Sequence, residues 1–580
     1  MTLNQFGGSE DNQKTIIGHP VGLFILFFTE MWERFSYYGM RAILVFYLVS
    51  DISKHGFGWD QSSALMLYGT YTSLVYLTPL VGGWLADRVM GFRNAVTAGA
   101  LLMTLGHVSL AFESVPTFYL GLTLLILGNG LFKPNISSIV GNMYPPENRK
   151  KDSAFTIFYM GVNAGAFLGM LICGWLGETY GWNYGFGCAG IFMFFGMLQF
   201  YFGQNIFGEI GLRPTKLKRP DRPSSPERTE EKVPFTKRDV TLLGVSLTVL
   251  VATIIAWFKV PYASIAIQYA SVLPFICIML FFVLNRLKRY PKVEKDRLGV
   301  IALLAFFTVF FWLAFEQAGG TMGLFAKDFT NRSLVSEGEI RAFQIISIAL
   351  TVIPMLILTW VLGSLAVRIA KQYPLTIVFT GLSFAIIWGV IYMINEKNFD
   401  DKTLEIPASW FGTLNSFFII SLAPLFSNAW AYLSKRNRNI SGPIKFAMGL
   451  FLLGAGFLAL SFGASSIPQG ATSASVSIIW LVMAYFLHTV GELFLSPVGL
   501  SYVNKLSPKR LLAFMFGVWY LSNFVANFLA GLIGSYMEEI SKKSSISNFF
   551  FIFVISSAVA GIALLLLNKK MKKMMHGIDE

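Results

Sequence analysis

The first long apolar run of the chain, Val21–Val49, is long enough to cross a bilayer and yet contains two glutamates and two arginines. A charged residue at this depth is costly in lipid and normally faces the interior of a helix bundle or a water-filled cavity. At helical spacing, the charged residues and two tyrosines fall on one stripe: Glu30, Glu33, Arg34, Tyr37, Tyr38 and Arg41. One interpretation is an internally neutralised packing cluster. The other, which we favour, is the wall of a path for substrate or protons.

The composition of the whole chain is that of a protein that crosses the membrane many times. Hydrophobic residues make up 54% of its 580 residues and charged residues only 13%, with a mean hydropathy of +0.58. Soluble domains carry about 25% charged residues, and here about sixteen apolar runs have spanning length. The net charge of +14 does not indicate nucleic-acid binding, because the basic residues lie between these runs. The sequence predicts an all-α polytopic membrane protein.

The charges in the connections predict the orientation of the chain. Residues 1–20 form a polar leader without the basic stretch and cleavage site of a signal peptide, so we expect Val21–Val49 to be a retained helix. If the leader is cytoplasmic, the inner connections hold most of the lysines and arginines, as in Asp87–Arg93, Arg213–Arg238 and Asn285–Arg297. An even number of crossings then leaves both termini in the cytoplasm. The predicted location is the plasma membrane, which in a bacterium is the inner membrane.

The connection after the second apolar run carries a recognisable signature. Gly82–Arg93 reads GGWLADRVMGFR, in which glycines that permit close helix approach precede an acid and two arginines. This pattern resembles the loop between the second and third helices of the major facilitator superfamily. Its place between the second and third runs, on the predicted cytoplasmic side, is also the place that it has in that superfamily.

Further motifs resemble one branch of that superfamily, the proton-coupled oligopeptide transporters. Glu30–Gly39 matches the E-x-x-E-R-F-x-Y-Y-G motif of this family without departure, and Phe155–Ala166, which reads FTIFYMGVNAGA, matches its second signature. Other segments that resemble family helices are Gly130–Asn135, Phe311–Gln317, Asn415–Pro424, Gly491–Leu500 and Trp519–Gly531. The matches lie in both halves, so the resemblance covers nearly the whole chain.

The resemblance implies a major facilitator fold, with two six-helix bundles plus about four accessory transmembrane helices. The expected segments are the leader (1–20), the N-terminal bundle (21–207), a cytoplasmic linker and accessory hairpin (208–297), the C-terminal bundle (298–567) with a second hairpin inserted at about 342–393, and a cytoplasmic tail (568–580). The linker, rich in Pro, Lys and Glu, is expected to be disordered at its centre. The second hairpin has no assigned function, and a lipid-facing accessory role is the default.

A short peptide is a zwitterion whose two ends are separated by a length that its residue count sets. A site that tolerates any side chain has to hold those ends, which calls for cations on one wall and an anion with amide acceptors on the other. The candidate cations are Arg34, Arg41 and Lys133, and the candidate anion and amides are Glu492, Asn163 and Asn415. The resemblance implies the same roles and adds further peptide-binding residues: Tyr38, Tyr68, Tyr159, Trp312, Ser496, Trp519 and Asn527.

Coupling to protons needs a carboxylate whose pKa depends on its neighbours, because burial favours the neutral form and an adjacent cation the charged form. Glu30 and Glu33 beside Arg34 are such candidates, and the resemblance adds Glu316 opposite Lys133. We hypothesise that protonation of Glu33 frees Arg34 for the peptide carboxylate, and that deprotonated Glu316 recaptures Lys133 during release. The expected partners are di- and tripeptides, protons and the lipid bilayer, with no nucleic acid. No cofactor is expected, since the proton gradient supplies the energy.

Several of these residues also have ordinary structural interpretations. Lys133 can be a snorkelling lysine, Glu492 an acid bonded to the backbone, and each tyrosine a packing residue. His488 and Glu492 stand at i and i+4, a spacing that metal ligands use, but no second histidine completes a metal site. The three cysteines lie in apolar segments and indicate neither a disulfide framework nor a metal cluster.

Other functions remain open for a sequence of this kind. A symporter of the same fold for another small anion, such as nitrate, is one alternative, although a site for a simple anion has no need of Glu492. A non-transporting receptor or a membrane-embedded enzyme is another, but no Ser-His-Asp or H-E-x-x-H arrangement supports catalysis. The chain also lacks the G-x-x-x-x-G-K-[ST] loop of ATP-driven pumps. Animal peptide transporters have a histidine where this chain has Gly69, after Tyr68, so proton handling would rest on carboxylates.

Overall fold

The computed structural model describes residues 5–145, 148, 150–213, 234, 236–259, 273–400, 404–436 and 440–578. Its α-helices are α1 (Val21–Val49), α2 (Gln61–Leu85), α3 (Phe92–Leu110), α4 (Val115–Asn142), α5 (Lys151–Thr179), α6 (Trp182–Gly203), α7 (Lys237–Lys259), α8 (Leu273–Leu287), α9 (Lys292–Phe315), α10 (Thr321–Asp328), α11 (Glu337–Ile369), α12 (Pro374–Asp400), α13 (Thr413–Lys435), α14 (Gly442–Ala464), α15 (Ile478–Leu506), α16 (Leu512–Ser535), α17 (Met537–Lys543) and α18 (Ile546–Met575). Two antiparallel strand pairs join β1 (Thr15–Ile16) to β2 (His19–Pro20) and β3 (Ser333–Leu334) to β4 (Leu404–Glu405).

The described helices confirm an all-α polytopic membrane protein. Twelve helical segments are long and apolar enough to cross a membrane. Helices α1, with 29 residues, and α3, with 19, also have adequate length, although α1 carries the charged stripe. Helices α7 and α8 fall where the first accessory hairpin was expected. The total of about sixteen crossings stays a prediction, because residues 260–272 lie outside the described residues.

The chain divides into two units, of which the second comprises Leu217–Leu304, Leu500–Phe516 and Leu567–Glu580. Within this unit α7 packs against α8, and Asp239 of α7 accepts a bond of 2.5 Å from Arg289. Arg510 and Glu294 form a further ion pair in the same unit. The centre of the predicted linker, residues 214–233, lies outside the described residues.

The first unit comprises Met1–Lys216, Ala305–Gly499 and Gly517–Leu566, and α1 lies at the centre of its N-terminal half. Helix α1 packs along both α5 and α6, and most of its side chains are buried. Helix α5 approaches closely because it presents glycine: a Cβ atom at Gly165 would collide with the Met31 carbonyl oxygen. On the α6 side, Trp32 Nε1 donates to Gln199 Oε1 at 3.0 Å. These contacts fix which face of α1 remains for the charged stripe.

The two ends of the first unit are named here by the leader. The leader side is where residues 5–20 fold against the bundle: Asn12 Oδ1 accepts from the backbone N–H of Gly22 at 2.8 Å, and His19 Nδ1 lies 2.9 Å from the Tyr144 hydroxyl. The far side is the opposite end, where α1 ends at Val49 and α5 ends at Thr179.

The inserted hairpin, α11 and α12, packs on the N-terminal half although it is inserted in the C-terminal half of the sequence. Its two helices are joined by buried polar contacts, such as Asn398 Nδ2 to Ser347 Oγ at 3.0 Å. Phe384 of α12 lies edge-on to Trp32 of α1, with ring centroids 5.8 Å apart. Side chains such as Trp360 on the outer face are exposed, as expected of a lipid-facing surface.

Candidate functional site

A central cavity of about 180 Å³ lies where helices of the two halves of the first unit meet. Its walls come from α1, α2, α5, α9, α10, α13, α15 and two 3-10 turns, Glu316–Gly319 after α9 and Ala408–Gly412 before α13. More than half of the predicted peptide-binding residues line it: Tyr38, Arg41, Tyr159, Asn163, Trp312, Asn415 and Glu492. Glu316, predicted to handle protons, also lines the cavity.

The charged stripe of α1 is buried and internally paired. Glu33 is fully buried and bonds Arg34, while Glu30 Oε1 lies 3.2 Å from Arg34 Nε. A third partner comes from α4, because Asn129 Nδ2 donates to Glu33 Oε1 at 3.0 Å. One guanidinium therefore faces two carboxylates. The net charge of this cluster is negative when both acids are ionised, so uptake of one proton would neutralise it.

Aromatic rings of the cavity wall lie beside three cations, of which only Arg41 itself lines the cavity. The guanidinium of Arg34 lies 6.0 Å from the Tyr38 ring centroid and that of Arg41 lies 5.9 Å from the same ring. Lys133 Nζ lies 4.9 Å from the ring centroid of Tyr76, in the range of a cation–π contact. Tyr38 and Tyr76 line the cavity, whereas Arg34 and Lys133 lie one layer behind them.

The opposite wall carries the anion. Glu492 of α15 is buried, and its Oε2 accepts from Asn415 Nδ2 at 2.9 Å. The same amide nitrogen lies 3.1 Å from Thr489 Oγ1, which fixes Asn415 against α15. Asn163 faces the cavity from α5. The site thus has acidic side chains in the C-terminal half and basic side chains in the N-terminal half.

The expected pairing of Glu316 with Lys133 is not the one in this structure. Glu316 lies in the 3-10 turn after α9 and forms an ion pair with Arg41, which also donates to the Tyr68 hydroxyl. Among the described residues, no carboxylate oxygen lies within 4.0 Å of Lys133 Nζ. Arg41 stands two turns beyond Arg34 on the same stripe, which brings it level with the end of α9.

Some predicted residues lie outside the cavity lining. Tyr68 and Ser496 are adjacent to lining residues, the first through its bond to Arg41 and the second one turn after Glu492. Trp519, expected among the peptide-binding residues, does not line the cavity, and its ring packs 6.3 Å from that of Phe446. Asn527 is buried in α16, which meets α2 at Gly69.

Other lining or partner residues were missed by sequence reasoning. Tyr76 stands eight positions after Tyr68, and Asn129 four positions before Lys133, so helical spacing could have indicated both. Tyr485 and the turn Ala408–Gly412 also line the cavity. Nothing in the local sequence of that turn signals a position at the cavity, since its place depends on contacts with α5.

The fold and the cavity define a secondary transporter of the major facilitator type, with a central site between two helical halves. The chain belongs to the POT family, because the family profile of that description matches residues 93–401 and 381–552. The resemblance inferred from the motifs is thereby confirmed.

Individual relatives agree with this assignment. The chain is 32% identical over 570 residues to the uncharacterized transporter YclF of Bacillus subtilis (strain 168), covering 98% of this chain and 97% of YclF. It is 31% identical to the peptide transporter YePEPT of Yersinia enterocolitica subsp. palearctica serotype O:3 (strain YE-P4), covering 90% and 89% of the two chains. A solved structure of peptide transporter POT in complex with sulfate matches it with a TM-score of 0.72 and 31% identity, covering 97% of each chain.

Proposed function

We propose that this protein is a proton-coupled symporter that imports di- and tripeptides by alternating access to the central cavity. The observation that carries the proposal is one cavity lined by the acid Glu492 on α15, with the cations Arg34 and Lys133 behind its Tyr38 and Tyr76 rings. Membership of the POT family supports protons as the coupling ion, and the relative YePEPT is named a peptide transporter. We place the protein in the plasma membrane with the leader side facing the cytoplasm.

The two walls would hold the two ends of a peptide. The ammonium group would bind Glu492 and the carbonyl oxygen of Asn415, whose amide nitrogen is already used by α15. The carboxylate would bind Arg34 and Lys133, which lie behind the rings of Tyr38 and Tyr76. Side chains of the peptide would then occupy the space between Tyr159 and Trp312, without a charged partner.

Two acid–base clusters would couple this binding to protons. In the first, protonation of Glu33 weakens its hold on Arg34 and makes the guanidinium available to the peptide carboxylate. In the second, the Arg41–Glu316 pair joins α1 to the end of α9, so it ties the two halves together toward the far side. Protonation of Glu316 would remove the charge that holds Arg41 and would favour separation of these two elements. This role of Glu316 as the partner of Arg41 replaces the expected pairing of Glu316 with Lys133.

The test is uptake into proteoliposomes that contain the purified full chain. With the outside acidified, a labelled dipeptide such as Ala-Ala should accumulate inside, and a protonophore should abolish the accumulation. Excess unlabelled tripeptide should compete, whereas nitrate should not. If nitrate accumulates and the dipeptide neither accumulates nor competes, the anion transporter of the same fold is the correct reading. If neither solute binds or moves, the chain is not a transporter of this kind.

A further inference from the structure

A second cavity lies on the far side of the first unit and is separate from the central one. This vestibule has a volume of about 530 Å³ and is lined by charged residues that include Lys54, Glu178, Lys327, Lys397 and Glu405. Only Phe46 lines both cavities among the described residues. If peptides enter from the far side, they have to pass from the vestibule to the central cavity.

The wall between the two cavities is formed by Phe46 and the chain around the 3-10 turn Ala408–Gly412. Pro407 lines the vestibule, whereas the next residues, Ala408 and Ser409, line the central cavity. The turn leads directly into α13 of the C-terminal half. Its position therefore decides whether the two cavities communicate.

One carboxylate of the N-terminal half holds this turn in place. Glu178, in the last turn of α5, accepts from the backbone N–H of Ala408 at 2.9 Å and from that of Ser409 at 2.9 Å. Its Oε1 also accepts from Ser409 Oγ at 2.5 Å. The two backbone N–H groups are unsatisfied donors at the start of a helical turn, and a carboxylate is a strong acceptor for them. Here the acceptor comes from a different helix, in the other half of the unit.

Two further contacts between this turn and α5 lie on the same face of α5 as Glu178. Trp410 Nε1 donates to the carbonyl oxygen of Leu171 at 3.0 Å, and Ser409 packs so closely on Gly174 that a Cβ atom there would collide with it. Leu171, Gly174 and Glu178 stand at i, i+3 and i+7, on one face of the helix. The contact is held by hydrogen bonds and close packing, which can separate and re-form.

We propose that Glu178 is the latch of the far-side gate, so that its bonds to Ala408 and Ser409 break when the central cavity opens to the vestibule and re-form when it closes. The latch is separate from the Arg41–Glu316 pair, since Glu178 binds backbone groups and needs no cationic partner. This inference goes beyond peptide transport and rests on the proposed function only for alternating access. If Glu178 were only a structural cap of the turn, its bonds to Ala408 and Ser409 would persist in both the open and the closed state.

The experiment measures access to the central cavity from each side, without any peptide. A parent chain carries Cys173→Ser, Cys188→Ser, Cys277→Ser and Ser416→Cys, since Ser416 lines the central cavity. Sealed vesicles of both orientations are treated with a membrane-impermeant thiol reagent. Added Glu178→Gln keeps the size of the side chain but sets an amide N–H₂ against one of the two backbone donors.

We expect Glu178→Gln to raise the labelling rate from the far side by about 10- to 100-fold, the effect of losing one charge-assisted hydrogen bond, and to lower the rate from the leader side. The matched control, Glu396→Gln, removes an exposed carboxylate bonded to Tyr392 of the same helix and should change neither rate.

A Glu178→Gln variant that labels like the parent from both sides overturns the proposal, whether or not its melting temperature falls. If Glu178→Gln does not fold, Ser409→Ala removes one of the three bonds and should show a smaller shift in the same direction. An unchanged rate in that variant would then overturn the latch. Because no peptide is present, failure here is distinct from failure of peptide transport.

Discussion

Replacing Glu33 with glutamine should uncouple transport from protons while leaving the peptide site in place. The Glu33 carboxylate is fully buried, bonds Arg34, and accepts from Asn129 at 3.0 Å. Glutamine has nearly the same shape but cannot take up and release a proton. Arg34 would therefore remain in one state throughout the cycle, and the peptide would move without an accompanying proton.

The structure sets the expected cost in stability. Removing one partner of an isolated buried ion pair costs about 3–5 kcal/mol, because a buried charge is left unpaired. Here Glu30 remains 3.2 Å from Arg34 and continues to neutralise it. We therefore expect the smaller cost of one charge-assisted hydrogen bond, about 1.5–3 kcal/mol, so the variant should fold with a lowered melting temperature.

The assay compares gradient-driven uptake with counterflow exchange. A gradient of one pH unit is worth about 1.4 kcal/mol per proton and supports about tenfold accumulation of a solute coupled to one proton. The wild type should accumulate a labelled dipeptide, whereas Glu33→Gln should only equilibrate it and retain counterflow exchange. Glu396→Gln, on the exposed face of α12, should behave like the wild type. Full accumulation by Glu33→Gln at equal expression would refute the proposed role of Glu33.

Three further predictions concern the pairing, the packing and the leader. Arg41→Gln and Glu316→Gln should be non-additive in thermal melts, with a coupling energy of about 0.5–3 kcal/mol; additive losses would show that the ion pair does not form. Gly165→Val should lower the melting temperature because it collides with α1, whereas Gly363→Val should have little effect, since no other element among the described residues has an atom within 4 Å of a Cβ added there; equal effects would contradict the close approach of α5. Burial and the charge of a neighbouring lysine lower the pKa of His19 below its ordinary value of 6.5, so the stability contributed by neutral His19 is present above that pH and lost below it. The protection factors of the leader amides, which are corrected for the intrinsic pH dependence of hydrogen exchange, should then fall as the pH is lowered from about 7 to about 5 in the wild type but not in His19→Gln; an equal fall in both would exclude His19 as the cause.

The fold and one wall of the site could be predicted from the sequence because they depend on local pattern. Apolar runs of spanning length define helices, and helical spacing places Glu30, Glu33 and Arg34 on one face. In the structure this face is buried, and Arg34 forms ion pairs with Glu30 and Glu33. The pairing is compatible with both interpretations of the stripe, and Arg41 in addition lines the cavity.

The contacts between helices that are far apart in the sequence could not be predicted from local pattern. Spacing did not show that Glu316 would meet Arg41 instead of Lys133, because the choice depends on how far α9 extends beside α1. Trp519 packs against Phe446 for the same kind of reason. Glu178 gave no signal at all in the sequence, since its partners are backbone groups of a turn more than two hundred residues away.

The inserted hairpin illustrates a related limit. Its helices were placed by hydropathy at about residues 342–393, and the structure gives Glu337–Ile369 and Pro374–Asp400. Sequence order suggested an insertion in the C-terminal bundle, but Phe384 packs against α1. The helices that flank the hairpin in the chain are not the helices that it packs against. Hydropathy locates the helices along the sequence but does not show which of them pack together.

The most direct test of the two-walled site is a binding measurement with two ligands and two proteins. The affinities of a free dipeptide and of its N-acetylated form are measured for the wild type and for Glu492→Gln. If Glu492 holds the ammonium group, acetylation should weaken binding to the wild type by about 10- to 100-fold and should matter much less in Glu492→Gln. An equal loss on acetylation in both proteins would contradict the account, because the amino end of the peptide would then be bound elsewhere.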